Sequence, residues 1–354
     1  MIAPGFVATV LLLAASSYAR PAQVGFFDVQ GHRGGRGEAI ENSLPSFAWG
    51  LIDGVSTLEL DNGLTKDGVV VVWHDEAITA EKCRDTSPVT PGDPLFPYVG
   101  KQIANLTLAQ IKTLDCGSQR VAAYPLQLLY PGTKIATLGE VFALARCVDQ
   151  KREIVWNIES KINPVQTNAT RSVDDFVKAQ HAAFAASGYP LSQITYQSFD
   201  WRTLIEMKKR DSRVPTAALI DLNNIVVDGT GLSPWLAGVN ISSFPGLDEG
   251  SRIAEAAKSI KANVLSPYAG ANLTAMFTTK EMIQEAHKLG LTVAPWTVNR
   301  LDIAENLMEW GVDGIITDYP FLVRRLAVQR GHRVASTFSQ EKVMKCLDKH
   351  LQRI

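Results

Sequence analysis

Between Gly31 and Asp75 the chain sets two histidines around a Glu-x-Asp pair: His32-Arg33-Gly34, then Glu59-Leu60-Asp61, then Trp73-His74-Asp75. Imidazoles exchange protons near neutral pH. Two carboxylates spaced i, i+2 on a strand point to one face and can share a hard divalent cation. A second pair at that spacing, Glu159 and Lys161, ends the run Ile154-Val155-Trp156-Asn157-Ile158-Glu159-Ser160-Lys161. Cleaving a phosphodiester requires neutralised oxygens, an activated nucleophile and a protonated leaving alkoxide. These residues could meet each demand. Glu59, Asp61 and Glu159 supply three oxygen ligands, His32 and His74 divide the acid and base roles, Lys161 lies near the phosphate, and Arg33 offers it a bidentate clamp.

Taken singly, each residue has a plainer role. A lone histidine at a strand end is usually a satisfied structural group, and a lone Glu-x-Asp usually faces solvent. Together they fall at the C-terminal ends of successive strand-like runs, where a barrel places its catalytic groups.

Those runs are Phe26 to Gly31, Thr57 to Asp61, Val69 to Trp73, Ile154 to Ile158, Ile194 to Tyr196, Thr216 to Ile220, Ala262 to Leu265, Thr292 to Trp296 and Gly314 to Thr317. Amphipathic helical stretches alternate with them, the pattern of a parallel sheet with crossover helices. The fold class expected is α/β, a TIM-type (β/α)8 barrel. Nine runs are one more than such a barrel needs. The stretch from Asn62 to Gly68 is too short for a helical crossover and contains the turn signal Lys66-Asp67-Gly68, so the second and third runs read as a hairpin with Asp61 roughly opposite His74. Asn42 can cap a helix running to Gly54. Thr137 with Glu140, and Thr278 with Glu281, read as capping boxes, and Gly188, Gly290 and Gly311 close helical stretches. Residues 75–131 are rich in Pro and Gly and read as an insertion over the barrel mouth.

The barrel is expected over residues 20–330, followed by a tail over 331–354 with no usable pattern. With 35 basic and 36 acidic side chains and no long basic run, the chain has no electrostatic footprint for nucleic acid. Residues 1–19 carry no charge, hold the apolar run Phe6 to Ala15 and end in Ser17-Tyr18-Ala19, which reads as a cleaved secretory signal; the apolar run is too short for a membrane anchor. No stable membrane insertion is expected elsewhere. Four sequons, at Asn105, Asn168, Asn240 and Asn272, agree with a eukaryotic secretory route to the extracellular space. Four cysteines without metal-ligand spacing suit an oxidising compartment. Of three possible connectivities, Cys83 with Cys116 and Cys147 with Cys346 are favoured, the first lying in one irregular segment and the second tying the tail to the body. His287 reads as a surface histidine.

The combination His32-Arg33-Gly34, Glu41-Asn42-Ser43-Leu44-Pro45-Ser46-Phe47, Leu58-Glu59-Leu60-Asp61, Thr65-Lys66-Asp67-Gly68 and His74-Asp75 resembles the glycerophosphodiester phosphodiesterase family. Matches continue through Asn157-Ile158-Glu159-Ser160-Lys161, Gln197-Ser198-Phe199, Pro295-Trp296-Thr297-Val298-Asn299 and Gly311 to Pro320. The resemblance implies a TIM-type barrel and one divalent cation, Ca²⁺ or Mg²⁺, held by Glu59, Asp61 and Glu159. It implies acid-base catalysis by His32 and His74, and phosphate contacts from Arg33 and Lys161. The substrate implied is a small glycerophosphodiester, cleaved to glycerol 3-phosphate and an alcohol, either by water or through attack of the substrate's own 2-hydroxyl. Trp296 would pack beside the glycerol moiety, or serve only as a barrel-core aromatic. Ile40 stands where the family usually has proline, and Asn62 where an aliphatic residue is common.

Two other readings stand beside this one. A sphingomyelinase D or phospholipase D-like lyase could use the same barrel and would release a cyclic phosphate. A catalytically silent barrel protein would be expected to lose a metal ligand or a histidine, and this chain has kept all five.

Overall fold

The computed structural model describes residues 25–351 apart from 228 and 230. The secretory signal expected over residues 1–19 therefore lies outside the described residues. Nine strands form one sheet: β1 (Asp28–Gly31), β2 (Thr57–Leu64), β3 (Val70–Val72), β4 (Val155–Ser160), β5 (Ile194–Ser198), β6 (Thr216–Ile220), β7 (Val264–Pro267), β8 (Thr292–Val293) and β9 (Gly314–Thr317). All nine expected strands are present, several shifted at their ends. Eight run parallel in the order β8-β7-β6-β5-β4-β2-β1-β9, and β3 pairs antiparallel with β2 off that path. No ladder joins β8 to β9, but the Asp313 N–H donates to Val293, Ile316 to Pro295 and Val298 to Ile316, which brings the two edges together. The result is a nearly closed (β/α)8 barrel.

Helices between and after the strands cover the barrel: α1 (Leu44–Asp53), α3 (Leu138–Val148), α4 (Val173–Ala185), α5 (Trp201–Arg210), α6 (Glu249–Ser259), α7 (Lys280–Lys288), α8 (Leu301–Trp310) and α9 (Pro320–Gln329), while the short α2 (Leu108–Ile111) lies apart from them in the segment 75–131. Their apolar stripes and the strand side chains merge into one core that includes Phe47, Leu58, Phe142, Trp156, Tyr196 and Trp201. The tail contains a helix the sequence pattern did not reveal, α10 (Gln340–His350), whose Val343, Cys346 and Leu347 join the same core. Cys147–Cys346 fastens it to α3, and Cys83–Cys116 closes the insertion, both as expected.

Three local expectations need correction. The cap of α1 is Ser43, in a reciprocal box with Ser46, and not Asn42, whose positive φ of 56° turns its side chain elsewhere. The cap of α7 is Thr279, accepting from the Met282 N–H, because the Thr278 hydroxyl donates instead to the Tyr268 carbonyl. In the hairpin β2 runs on to Leu64, so Asp61 lies across from Trp73, whose N–H it receives at 2.9 Å, and His74 follows one residue later.

Residues 75–131 fold around a second, smaller apolar cluster, with Trp73, Ile78, Tyr98, Ile103, Leu106 and Ile111 among its members. This body sits against β3 at the C-terminal end of the barrel.

Candidate active site

The strands that carry the candidate residues are neighbours. In the β2–β4–β5 ladder Asp61 is in register with Glu159, and Glu159 with Gln197, so three polar side chains meet at the same level. Glu59 lies two residues before Asp61 on the same face. Carboxylate oxygens of Glu59, Asp61 and Glu159 all lie within 4.8 Å of one another, and all three residues are buried.

A turn at the end of β1 sets the other wall. Arg33 adopts φ 53°, a left-handed conformation unusual for a side chain of its size. Its N–H then donates to Glu59 at 2.8 Å, while its guanidinium reaches Glu41 at 2.9 Å and lies 3.2 Å from Asp61. Gly34 follows at φ 91°, where a Cβ would sit 2.7 Å from the Phe47 nitrogen, so only glycine fits the turn. Asn42 binds Asp61 twice, donating from its amide at 2.8 Å and accepting the Asp61 N–H at 3.2 Å. Gln197 donates to Glu59 at 2.6 Å.

Each histidine is fixed through Nδ1 by a carboxylate: His32 by Asp318 at 2.6 Å, His74 by Asp75 at 2.8 Å. That pairing leaves Nε2 with the lone pair when the ring is neutral. His74 Nε2 lies 3.2 Å from Lys161 Nζ, which also pairs with Glu159 at 2.8 Å. Both rings line a cleft of about 150 Å³, together with Arg33, Arg36, Glu59, Glu159, Lys161, Gln197, Phe199 and Trp296. Trp296 packs edge-to-face on Phe199 at 5.2 Å and donates its indole N–H to the Ser266 carbonyl. A larger cavity of about 770 Å³ opens at the opposite end of the barrel, between Asp28, Thr57 and residues 334–338, away from these groups.

The charges are strongly coupled. Burial and the neighbouring Asp61 push Glu59 well above the usual carboxylate range. Burial lifts Glu159 to about 8, despite Lys161 beside it. Asp61 moves the other way: burial opposes ionisation, but Arg33, His74 and Lys161 outweigh it. Burial and the neighbouring Asp61 carboxylate therefore favour the protonated form of Glu159, against the pull of Lys161. Burial, followed by Lys161, lowers His74 to about 4, and burial also lowers His32. Burial would raise Glu41, yet Arg33 and Lys82 bring it to about 2.

These features fit a hard divalent cation. The donors are oxygen only, they converge from two adjacent strands, and burial together with carboxylate neighbours makes two of the three resist ionisation, a repulsion that a bound cation would relieve. All eight candidate residues, His32, Arg33, Glu59, Asp61, His74, Glu159, Lys161 and Trp296, are gathered around this one end of the barrel. Sequence reasoning read Asn42 only as a helix cap and assigned no role to Arg36, Gln197, Phe199 or Asp318, all of which the structure adds to the site. Gln197, Phe199 and Asp318 lay in segments that carried the family resemblance, and that was their only signal; Asn42 lay in such a segment too.

A "Glycerophosphodiester phosphodiesterase" of Bacillus subtilis (strain 168) is 25% identical over 304 residues, which cover 85% of this chain and 86% of the relative. One of Caldanaerobacter subterraneus subsp. tengcongensis is 26% identical, covering 82% and 93%. Among solved structures, a Silicibacter pomeroyi DSS-3 protein provisionally named for the same activity superposes with a TM-score of 0.71 at 28% identity, covering 88% of this chain and 96% of that one. An Oleispira antarctica phosphodiesterase, solved with its product sn-glycerol-3-phosphate, shares the fold at TM-score 0.60 and 19% identity, covering 86% and 97%. The Glycerophosphoryl diester phosphodiesterase family model matches residues 32–322, from the first candidate histidine to the start of α9, and the chain belongs to that family.

Proposed function

We propose that the chain is a secreted, divalent-cation-dependent hydrolase that cleaves glycerophosphodiesters to glycerol 3-phosphate and an alcohol. The observation that carries this reading is the convergence of Glu59, Asp61 and Glu159 within 4.8 Å beside a cleft lined by both carboxylate-anchored imidazoles. A cation bound by those three carboxylates would offset phosphate charge. Its oxygen-only ligands suit Ca²⁺ or Mg²⁺.

The chain's own residues supply the rest. Lys161 and Arg33 would face the phosphate oxygens. His32 and His74 would each present Nε2, one withdrawing a proton from the attacking hydroxyl and the other delivering one to the leaving oxygen. An anionic diester in the cleft would raise the proton affinity of the rings, opposing the burial that keeps them neutral. A cleft of about 150 Å³ suits a glycerol phosphate group, with Trp296 and Phe199 against its carbons. The product held by the Oleispira antarctica phosphodiesterase supports this class of substrate.

Secretion is supported by the two disulfides and by the four sequon asparagines. Asn105, Asn168, Asn240 and Asn272 are all exposed, one in the insertion and the others in loops after β4, β6 and β7. No helix among the described residues is long and apolar enough to cross a membrane.

The test is an assay of the purified secreted protein on glycerophosphocholine, glycerophosphoethanolamine, glycerophosphoinositol, lysophospholipid and sphingomyelin, with and without chelator. Glycerol 3-phosphate should form from at least one of the first three, cease on chelation and return with Ca²⁺ or Mg²⁺. Release of cyclic phosphate from intact lipid would favour the lyase instead, and undiminished activity in chelator would remove the cation. Amino-terminal sequencing starting at Arg20, with a glycosidase-sensitive mass, is the expected mark of secretion.

A further inference from the structure

We infer that the insertion over the barrel mouth carries one positioning residue for each active-site histidine, Lys82 for His74 and Tyr124 for His32. The inference rests on the hydrolytic reading above for its kinetic consequence, but on geometry for its substance. Asp75 gives Oδ1 to His74 Nδ1 at 2.8 Å and Oδ2 to Lys82 Nζ at 2.6 Å. Asp318 does the same on the other side, with Oδ1 to His32 Nδ1 at 2.6 Å and Oδ2 to the Tyr124 hydroxyl at 2.9 Å. In each case the carboxylate that orients the imidazole is held on its far oxygen by a donor from residues 75–131.

Neither donor is a casual surface contact. The Lys82 side chain is only 9% exposed, lies 5.2 Å above the Trp73 ring and pairs also with Glu41 at 2.6 Å. Its neighbour Cys83 is tied to Cys116, which anchors that stretch of backbone. Tyr124 is stacked under the Arg36 guanidinium at 4.8 Å, and Arg36 itself donates to Asp318. A carboxylate fixed at both oxygens cannot rotate, so the imidazole it holds keeps both its tautomer and its aim. Asp318 has a further donor in Asn299 at 2.6 Å, whereas Asp75 has Lys82 as its only other charged partner among the ion pairs of the described residues. Loss of Lys82 should accordingly be felt more than loss of the Tyr124 hydroxyl.

Double-mutant cycles test this, using Lys82→Met with Asp75→Asn and Tyr124→Phe with Asp318→Asn in the full chain. Lys82→Met should lower kcat roughly 10- to 100-fold and Tyr124→Phe roughly three- to tenfold, with KM within about threefold. Each double variant should be little worse than its Asp→Asn single, since both changes remove the same restraint. Long-range proton–nitrogen NMR spectra of the imidazoles should show His74 passing from one tautomer to a mixture in Lys82→Met, with His32 unaltered. Additive losses, a change in KM alone, or unaltered imidazole spectra would overturn the inference. An unsubstituted protein that cleaves no glycerophosphodiester would instead remove the hydrolytic reading, while the spectra still decide the positioning.

Discussion

At the site, three acids that repel one another are held by neutral and cationic donors. Gln197 and the Arg33 N–H take the two oxygens of Glu59, Asn42 and Arg33 steady Asp61, and Lys161 pairs with Glu159. If the proposed roles hold, replacing Glu59 by Gln should lower activity by at least about a thousandfold while far-ultraviolet circular dichroism stays the same, as should His32→Ala or His74→Ala, because the first removes a proposed cation ligand and the others a proposed proton carrier. The charges also set a pH dependence. Without a cation, Glu159 titrates near 8, so the folded protein binds its proton more tightly than the unfolded chain does. That contribution to stability is present below the ordinary glutamate range and is lost as pH rises through about 8. A cation must displace this proton, so its affinity should rise steadily between pH 5 and pH 8 and its binding should release protons, measurable by calorimetry in buffers of different ionisation enthalpy. Affinity independent of pH would contradict the assigned ligands.

Strand ends do the positioning, and they account for how much could be read in advance. Glu59 and Asp61 were legible because a strand repeats every two residues, and Glu159 because β4 ends with the same spacing. Asn42 was misread because asparagine and serine are both good caps, and nothing local says that Ser43 takes the helix while Asn42 turns to a carboxylate 19 residues away. Asp318 was silent for a stronger reason: its partner His32 is 286 residues distant, and only closure of the barrel brings them together. The hairpin was legible from its turn, but its register was not, since β2 continues past Asp61 to Leu64. An untested feature sits at the end of α1, where Asp53 faces Glu38 and is pushed up to about 8 by burial and by that neighbouring carboxyl. A raised acid stabilises the fold while protonated, so its contribution fades as pH climbs from about 4 toward 8. Asp53→Asn should raise stability at pH 8 by about 1 kcal/mol after solvent screening, and change little at pH 5, as read from urea unfolding.

For the whole molecule, the tail was the least legible part, since α10 shows its purpose only when docked on α1 and α3. Cys147–Cys346 spans 199 residues, a long loop to leave open in the unfolded chain. Replacing both cysteines by serine should cost about 2–4 kcal/mol in denaturant unfolding. Catalysis should be retained, because neither cysteine lies near the cleft. A matching loss of kcat would mean that the tail reaches the site through the barrel wall.

The separate apolar cluster built on Trp73, Ile78, Tyr98 and Ile103 gives the segment 75–131 foundations of its own. The entrance can therefore be lengthened or trimmed while the main barrel core keeps its packing. Any such graft inherits one obligation: it must still deliver an ammonium to Asp75 and a hydroxyl to Asp318, or the chemistry underneath will lose its aim.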